Sequence, residues 1–482
     1  MEIQKALANR ESTIGFTNDQ QRAYDNLITW IKAPFSLNDA KRCLTGAAGT
    51  GKTFLVKALI KNCGMSYSTI GLSAPTHKAC RILNESIGLS NIKVNTLQSD
   101  LGLKLNFDAE KFNIDNPPFD PKGRIKIGDY RLYIVDEASM INRGLCMFLE
   151  KKCKEQQTKL LYIGDASQLA PVGEKYSSAF KGVKTDKLIQ IVRQGEDNPV
   201  SKLLQLLRSD IENKRFSFLE YITKNNEEWN SDYTKGYMLC KGNQFEDKII
   251  LNFTDENLTS NIDLCKVIAY TNNRVSHWNK FIRSIVVKDS DKSIITKNDL
   301  IISYITIVND FNDCVIKNSE EYILKDVVNY VDPKYELKGF MVRFIAIHGG
   351  AVTTPLFIVD DRDIFTLRKY VQVANHLMNQ AKSANSSQRA AKWKEFFEFK
   401  EKCLLMTNIM TKDKFYYSRN LDYGFALTAH KAQGSTFDTA LVDVNDIVFD
   451  KMGNPYSDIE EINRRLYVAC SRCKNKLYLK YG

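Results

Sequence analysis

Lys52 closes the run Gly46-Ala47-Ala48-Gly49-Thr50-Gly51-Lys52-Thr53, whose residue types suit the holding of phosphates. The glycines let the backbone curl so that successive N–H groups point at an anion. A helix starting at the end of the run adds the positive end of its dipole. Lys52 is spaced to reach the β- and γ-phosphates of a nucleoside triphosphate, and the Thr53 hydroxyl to hold Mg²⁺. Such a loop works only between a strand and a helix. The short run Arg42-Cys43-Leu44-Thr45 precedes it, and the helical stretch Phe54 to Lys61 follows.

Two further strand ends deliver polar groups. Leu132-Tyr133-Ile134-Val135 carries Asp136 and Glu137 to its C-terminal edge, where open α/β sheets place their ligands. Asp136 can complete the Mg²⁺ shell, and Glu137 can orient or deprotonate an attacking water. Tyr162-Ile163-Gly164-Asp165-Ala166-Ser167-Gln168 repeats the arrangement, and its Gln168 amide can bond a γ-phosphate or that water, telling ATP from ADP. The chemistry expected is phosphoryl transfer from ATP to water.

The elements that must position these groups follow a regular rhythm. Apolar runs ending in Gly, Ser or Asp, such as Ile70-Gly71-Leu72-Ser73 and Leu160 to Ile163, alternate with helical stretches, as buried parallel strands do. A second series comprises Lys266 to Tyr270, Ala440 to Val444 and Lys476 to Leu479. Two α/β domains are predicted, the second interrupted from 290 to 407. The first part of that interruption is rich in β-formers, with a hairpin turn at His348-Gly349-Gly350; the second, from Asp363 to Lys402, reads as two helices parted near Ser383 to Ser387. A smaller insertion, 97 to 128, carries Pro117, Pro118 and Pro121 and reads as a turn-rich arm.

Composition sets the outer limits. At 482 residues the chain exceeds one ordinary core, and 43% hydrophobic with 26% charged residues is a globular balance. No apolar run reaches the ~18 residues of a membrane span. Met1-Glu2-Ile3-Gln4-Lys5 lacks the features of a signal peptide. The eleven cysteines are scattered and predict free thiols in a reducing compartment; Cys470-x-x-Cys473 has no second pair to complete a metal site. A net charge of +11 is compatible with a polyanionic partner.

The order of these segments resembles superfamily 1 helicases, particularly the 5′→3′ branch typified by RecD and Dda. Phe16 to Ala23 resembles that family's adenine-reading segment, with Gln20 at the reading position. Ala74-Pro75-Thr76-His77-Lys78-Ala79 and Asn95-Thr96-Leu97-Gln98 resemble its strand-contacting segments. Asp136 to Met140 and Gly164 to Val172 are similar to its second and third motifs, with Ala170 where a proline is usual. Ile191-Val192-Arg193-Gln194 resembles the fourth, whose arginine reaches the γ-phosphate. Thr428-Ala429-His430-Lys431-Ala432-Gln433-Gly434 is similar to the fifth, and Arg465 to Arg472 to the sixth, with Arg472 as the arginine finger.

The resemblance implies a fold and a function. The fold is α/β with two RecA-like parallel-sheet motor domains, a small pin insertion and a β-barrel plus helical insertion. The first motor domain would take 1–96 and 129–195, the pin 97–128, the second motor domain 196–289 and 408–482, and the barrel with helices 290–407. The catalytic set is Lys52, Glu137, Gln168, Arg193 and Arg472. ATP would be held by Gln20, the loop Gly46 to Thr53, Gln433 and Gly434, and Mg²⁺ by Thr53 and Asp136. Thr76, His77, Lys78, Asn95 and Thr96 in one domain, and Thr428, His430 and Lys431 in the other, would contact the strand.

A motor indifferent to sequence grips phosphates and stacks bases on aromatics. The expected partners are single-stranded and forked duplex DNA, with a single-strand-binding or replisome protein in replication, recombination or repair. The protein is expected as a monomer in the cytoplasm of a bacterium or a phage-infected host, with no membrane partner. Phe107, Phe112 and Phe119 are candidates for an aromatic that splits the duplex. Trp393, Phe396, Phe397 and Phe399 with Lys392, Lys394 and Lys400 read as a helix with an aromatic core face and a solvated lysine face, rather than a strand-binding surface. An RNA-directed relative stays open, because phosphate contacts do not read the 2′-hydroxyl. So do a RecD-like subunit of a recombination nuclease complex and a non-motor ATPase switch.

Overall fold

The computed structural model describes residues 15–103, 124–171, 173–190, 192, 198–255, 261–308, 314–410 and 416–482. The chain divides into two compact units. One takes the residues up to Tyr237 together with Gln433–Ser435 and Tyr456–Asn475; the other takes Met238–Ala432, Thr436–Pro455 and Lys476–Gly482.

The first unit is built on a six-stranded sheet: β1 (Lys41–Gly46), β2 (Ile70–Ala74), β3 (Val94–Thr96), β4 (Leu132–Val135), β5 (Lys159–Gly164) and β6 (Lys184–Leu188), in the order β3-β2-β4-β5-β1-β6. Every pairing is parallel. Successive side chains on a strand face opposite ways, and here both faces are covered, so the strands read as unbroken apolar runs. Leu132 and Ile134 pack with Leu27, Leu55, Leu59 and Leu83 from the helices Asn18–Lys32, Lys52–Asn62 and His77–Ile87. Tyr133 and Val135 turn to the other side, against Leu145, Leu149 and Cys153 of the helix Arg143–Glu155. Because the sheet is all parallel, the phosphate loop after β1, Asp136 after β4 and Asp165 after β5 emerge at one edge.

In the second unit Cys265–Ala269 is flanked by Ala426–Thr428 and Phe437–Asp443, both parallel to it. A second sheet runs in the order Cys403–Leu404, Leu356–Val359, Lys338–Ala346, Glu321–Val331, Leu300–Ser303, Leu421–Tyr423. Its two end strands meet where Asn420 and Leu421 donate their N–H groups to the Leu405 carbonyl, at 2.9 and 3.1 Å, closing the small barrel the sequence led us to expect. The turn at 348–350 joins Lys338–Ala346 to Leu356–Val359, with Gly349 and Gly350 at φ 91° and 64°. The helical part is Ile364–Ser383 and Ser386–Lys402. Phe396 and Phe399 are buried in one core with Tyr370 and Trp393 is partly buried against it, while Lys394 pairs with Glu398 in solvent; Phe397, expected on the same face, is exposed. All eleven cysteines are free thiols, ten of them buried. Among the described residues no helix is long and apolar enough to cross a membrane.

Two buried ion pairs fasten the barrel to the strands and helix around it. Lys266 of the central strand meets Glu321 of the barrel at 2.6 Å, both almost wholly out of water, and donates to the Gly424 carbonyl at 2.6 Å. Arg283 forks onto Asp299 at 2.7 and 2.9 Å. Breaking a buried pair strands a charge, whereas replacing both partners by apolar groups is often neutral. Lys266→Met should therefore cost about 3–5 kcal/mol in denaturant unfolding, and adding Glu321→Leu should restore most of the loss.

Candidate active site

The phosphate loop leaves β1 at Gly46 and re-enters regular structure at Lys52, with Gly49 and Gly51 at φ 83° and 82°. A loop that aims its N–H groups at an anion must turn its carbonyls away and satisfy them elsewhere. Here it does. Lys52 Nζ donates to the carbonyls of Gly46 and Ala47 at 2.7 and 2.9 Å. Thr50 Oγ1 donates to Ala47 O at 2.9 Å, Val192 N to Gly49 O at 2.8 Å, and Gln20 Nε2 to Thr50 O at 2.9 Å. A Cβ on Gly46 would sit 2.6 Å from Thr50 Oγ1 and 3.0 Å from the Leu188 carbonyl oxygen, which closes that position, and the φ of 82° at Gly51 strains any side chain there. Thr53 is half-buried in the first turn of the helix that follows.

Asp136 and Glu137 lie side by side at the end of β4, and Glu137 takes a left-handed backbone conformation, φ 50°, that turns the chain sharply out of the strand. Strain of this kind is characteristic of functional positions. Asp136 Oδ1 accepts from Glu137 N at 2.9 Å. Burial raises Asp136 above its ordinary value, against the pull of the Glu137 N–H and the Lys52 charge. Burial and the neighbouring Asp136 push Glu137 up to about 7, with Arg472 and Lys52 opposing. A carboxylate poised near neutrality is matched to taking a proton from water. Asp136 and Thr53 are the groups that would hold Mg²⁺. Among the described residues no cluster of three or more His, Cys, Asp and Glu could hold a metal alone.

Around this centre the other motif residues form one hydrogen-bonded network. Gln433 Nε2 donates to Gln168 Oε1 at 2.8 Å and to Ser139 Oγ at 3.0 Å. Gly434 adjoins Glu137: a Cβ there would lie 3.8 Å from Glu137 Oε1. Arg472 is buried and spends its three nitrogens on Val468 O, Ser435 O and Ser471 Oγ, at 3.0, 3.0 and 2.7 Å. Burial lowers its pKa while the Glu137 charge opposes. From the helix Ile459–Cys470, Tyr467 OH donates to Asp165 Oδ2 at 2.6 Å, and Arg464 Nη1 donates to the carbonyls of Ala166 and Gln168 at 2.5 and 3.0 Å. These bonds are why Gln433–Ser435 and Tyr456–Asn475 group with the phosphate loop.

Three of the residues expected to contact a strand cap helical turns. Thr76 accepts from Ala79 N at 3.2 Å and Thr428 from Lys431 N at 3.2 Å, so each starts a helical turn directly after a parallel strand. Thr96 caps the next turn at Ser99 N, and Asn95 Nδ2 donates to Asp100. Lys78 is largely buried, and His77 is partly covered beside it. His430 lies against Tyr270, while Lys431 reaches Asn318 and Ser319 and lies 4.5 Å over the Tyr304 ring. Arg193 and the aromatics Phe107, Phe112 and Phe119 lie outside the described residues.

Sequence reasoning missed several participants. Ser139, Asp165, Arg464 and Tyr467 belong to the network, yet only the i, i+3 spacing of the last two on a helix hinted at a shared face. It also missed Asp19, whose Oδ2 accepts from Ile189 N and Gln190 N at 2.6 and 2.9 Å. Burial alone would raise Asp19, but the Thr17 hydroxyl and the N–H groups of Gln190, Ile189 and Gln20 hold it down at about 2.

Residues 18–222 match a family model described as an AAA domain. Over 90% of its length the chain is 21% identical to the uncharacterised protein R530 of Acanthamoeba polyphaga mimivirus, covering 94% of that protein. It is 31% identical over 159 residues to the ATP-dependent RecD2 DNA helicase of Deinococcus radiodurans, a stretch that is 33% of this chain and 20% of that one. The fold is that of the Pif1 helicase from Candida albicans, with a TM-score of 0.52 at 17% identity, covering 98% of this chain and 95% of that one. Bacteroides Pif1 bound to ssDNA gives 0.50 at 15% identity, covering 96% and 92%.

The fold is α/β, with a phosphate-loop site at the edge of a parallel six-stranded sheet. The family match covers the part of the chain that carries the phosphate loop, and the likeness to the Pif1 structures is one of fold. Glu137→Gln should lower steady-state ATP turnover by about 10²–10⁴-fold while nucleotide affinity, read by equilibrium titration, stays close to wild type.

Proposed function

We propose that the chain translocates 5′→3′ on single-stranded DNA and unwinds forked duplex, driven by ATP hydrolysis at the phosphate loop. The observation that carries the reading is the continuous network from Ser139 and Gln168 through Gln433, with Arg472 and Glu137 beside it. It joins groups that would sense the γ-phosphate to the segment Thr428 to Lys431, which ends two residues before Gln433 along the chain.

Phosphoryl transfer to water leaves the protein two tasks, positioning and charge neutralisation. Lys52 and the loop N–H groups hold the phosphates, and Glu137 orients the water and takes its proton. Mg²⁺, held by Thr53 and Asp136, would neutralise charge on the phosphates. Gln168, Arg193 and Arg472 are the groups assigned to the γ-phosphate. When that group leaves, the bonds that Gln168 and Gln433 share with it are free to rearrange, and the grip of Thr428, His430 and Lys431 on the strand changes with them. Thr76, His77, Lys78, Asn95 and Thr96 supply the other grip, so that alternate tightening moves the chain one way.

The four-part division proposed is 1–96 with 129–195, 97–128 as pin, 196–289 with 408–482, and 290–407. The protein works as a monomer in the cytoplasm, where its free thiols are stable.

Unwinding of forked duplexes with a 5′ or a 3′ tail, in DNA and RNA forms, tests the reading. Activity confined to 5′-tailed DNA is expected; activity only on 3′ tails would overturn the polarity, and activity only on RNA would establish the RNA-directed alternative. Arg472→Ala should cut strand-stimulated ATPase by about 10³–10⁵-fold with single-strand affinity nearly unchanged. ATPase indifferent to single strands would instead mark a non-motor switch.

A further inference from the structure

Asp100 is a carboxylate among apolar neighbours. It is fully buried, and Leu97 and Leu101 on either side of it in the chain belong to a core of the first unit. A charge set there costs free energy unless donors meet it. Three do, from three parts of the chain. Asn95 Nδ2 donates to its Oδ1 at 3.0 Å, Tyr133 OH donates to its Oδ2 at 3.1 Å, and Lys126 Nζ lies 3.5 Å from Oδ1. Lys126 N also donates to the Asp100 carbonyl at 2.9 Å. Burial raises the Asp100 carboxyl above its ordinary value, while Lys126, Tyr133 and Asn95 oppose that rise.

Of the three donors, Asn95 is the one whose own element is weakly held. β3 is a three-residue strand at the edge of its sheet, paired to β2 with Asn95 opposite Ser73 and Thr96 opposite Ala74. So short a ladder leaves the strand little backbone pairing of its own. Two side chains from outside the strand complete the attachment. Cys80 Sγ donates to the Asn95 carbonyl at 3.1 Å, and Asp100 takes the Asn95 amide. The same carboxylate receives Tyr133 of β4, three residues before Asp136. Asp100 thus ties the edge strand to β4, the strand beyond its neighbour.

We infer that Asp100 is a positioning residue for the first strand-contacting segment, holding Asn95 and Thr96 in place through the Asn95 amide. This rests on the reading of Asn95 and Thr96 as part of a grip on single-stranded DNA. The consequence is a defect confined to the strand. Losing the Asp100 acceptor loosens the grip and leaves nucleotide binding at the phosphate loop as it was.

The affinity of the full chain for a fluorescein-labelled oligothymidylate, read by anisotropy without nucleotide, tests the assignment. Asp100→Leu should weaken that affinity about three- to tenfold. Asp100→Asn keeps an acceptor for the Asn95 amide and should recover most of the loss. Affinity for a fluorescent ADP analogue should match wild type in both variants. Unchanged strand affinity in Asp100→Leu, no recovery in Asp100→Asn, or an equal loss of ADP affinity would each overturn the inference. Should Asp100→Leu fail to fold, Asn95→Ala breaks the same bond from its other end. It should weaken strand binding by a similar factor, and wild-type affinity there would overturn the inference too. A wild type that binds no oligothymidylate would refute the DNA-grip reading and this inference with it, whereas a wild type and variants that bind equally well would refute the inference alone.

Discussion

Two carboxylates set side by side at one buried strand end cannot both carry charge unless cations face them. Asp136 and Glu137 lose hydration together, which raises both pKa values, and the Asp136 charge raises Glu137 further. What makes the pair tolerable is Lys52 on one side and Arg472 on the other, each delivered by a different part of the sequence. The packing follows from that requirement. An all-parallel sheet brings the loop and the carboxylates to one edge, and the helix Ile459–Cys470 carries Arg472 to them. Burial does two jobs at once: it keeps Glu137 near neutrality, and it makes every charge that approaches count for more than it would in water.

Much of this was legible in the sequence, for a reason that can be stated residue by residue. The loop Gly46 to Thr53, the strand ending at Asp136 and the one ending at Gln168 are local patterns, readable from a dozen neighbours. The hairpin at 348–350 and the helix break near 384 are equally local, and both fall where the turn residues put them. Long-range partners were not legible. Tyr467 and Asp165 are 302 residues apart, and Asp19 and Ile189 are 170 apart. Nothing in the type of either partner announces the other. Gln20 shows the limit most clearly. Its identity fits a base-reading segment and a capping box equally well, and neither pattern announces the bond its amide makes to Thr50 O, thirty residues on.

The second unit relies on a different kind of bond. Lys266–Glu321 and Arg283–Asp299 are desolvated ion pairs at the attachment of the barrel, 2.6 and 2.7 Å long. Charges buried this way specify more than they stabilise, because any displaced arrangement leaves a charge without a partner. The barrel therefore has a fixed stance on its own unit.

The contact between Gln433 and Gln168 is made of neutral amides, and that choice suits a part that must let go. A neutral hydrogen bond contributes about 0.5–1.5 kcal/mol net, a few times thermal energy at most, whereas severing a buried ion pair costs several times more. An amide also has a donor and an acceptor on one planar group, so a small rotation exchanges one partner for another without leaving charge exposed. On the proposed motor reading the joint is a catch with a shallow detent: firm enough to register which phosphate is bound, and light enough to release at every turnover.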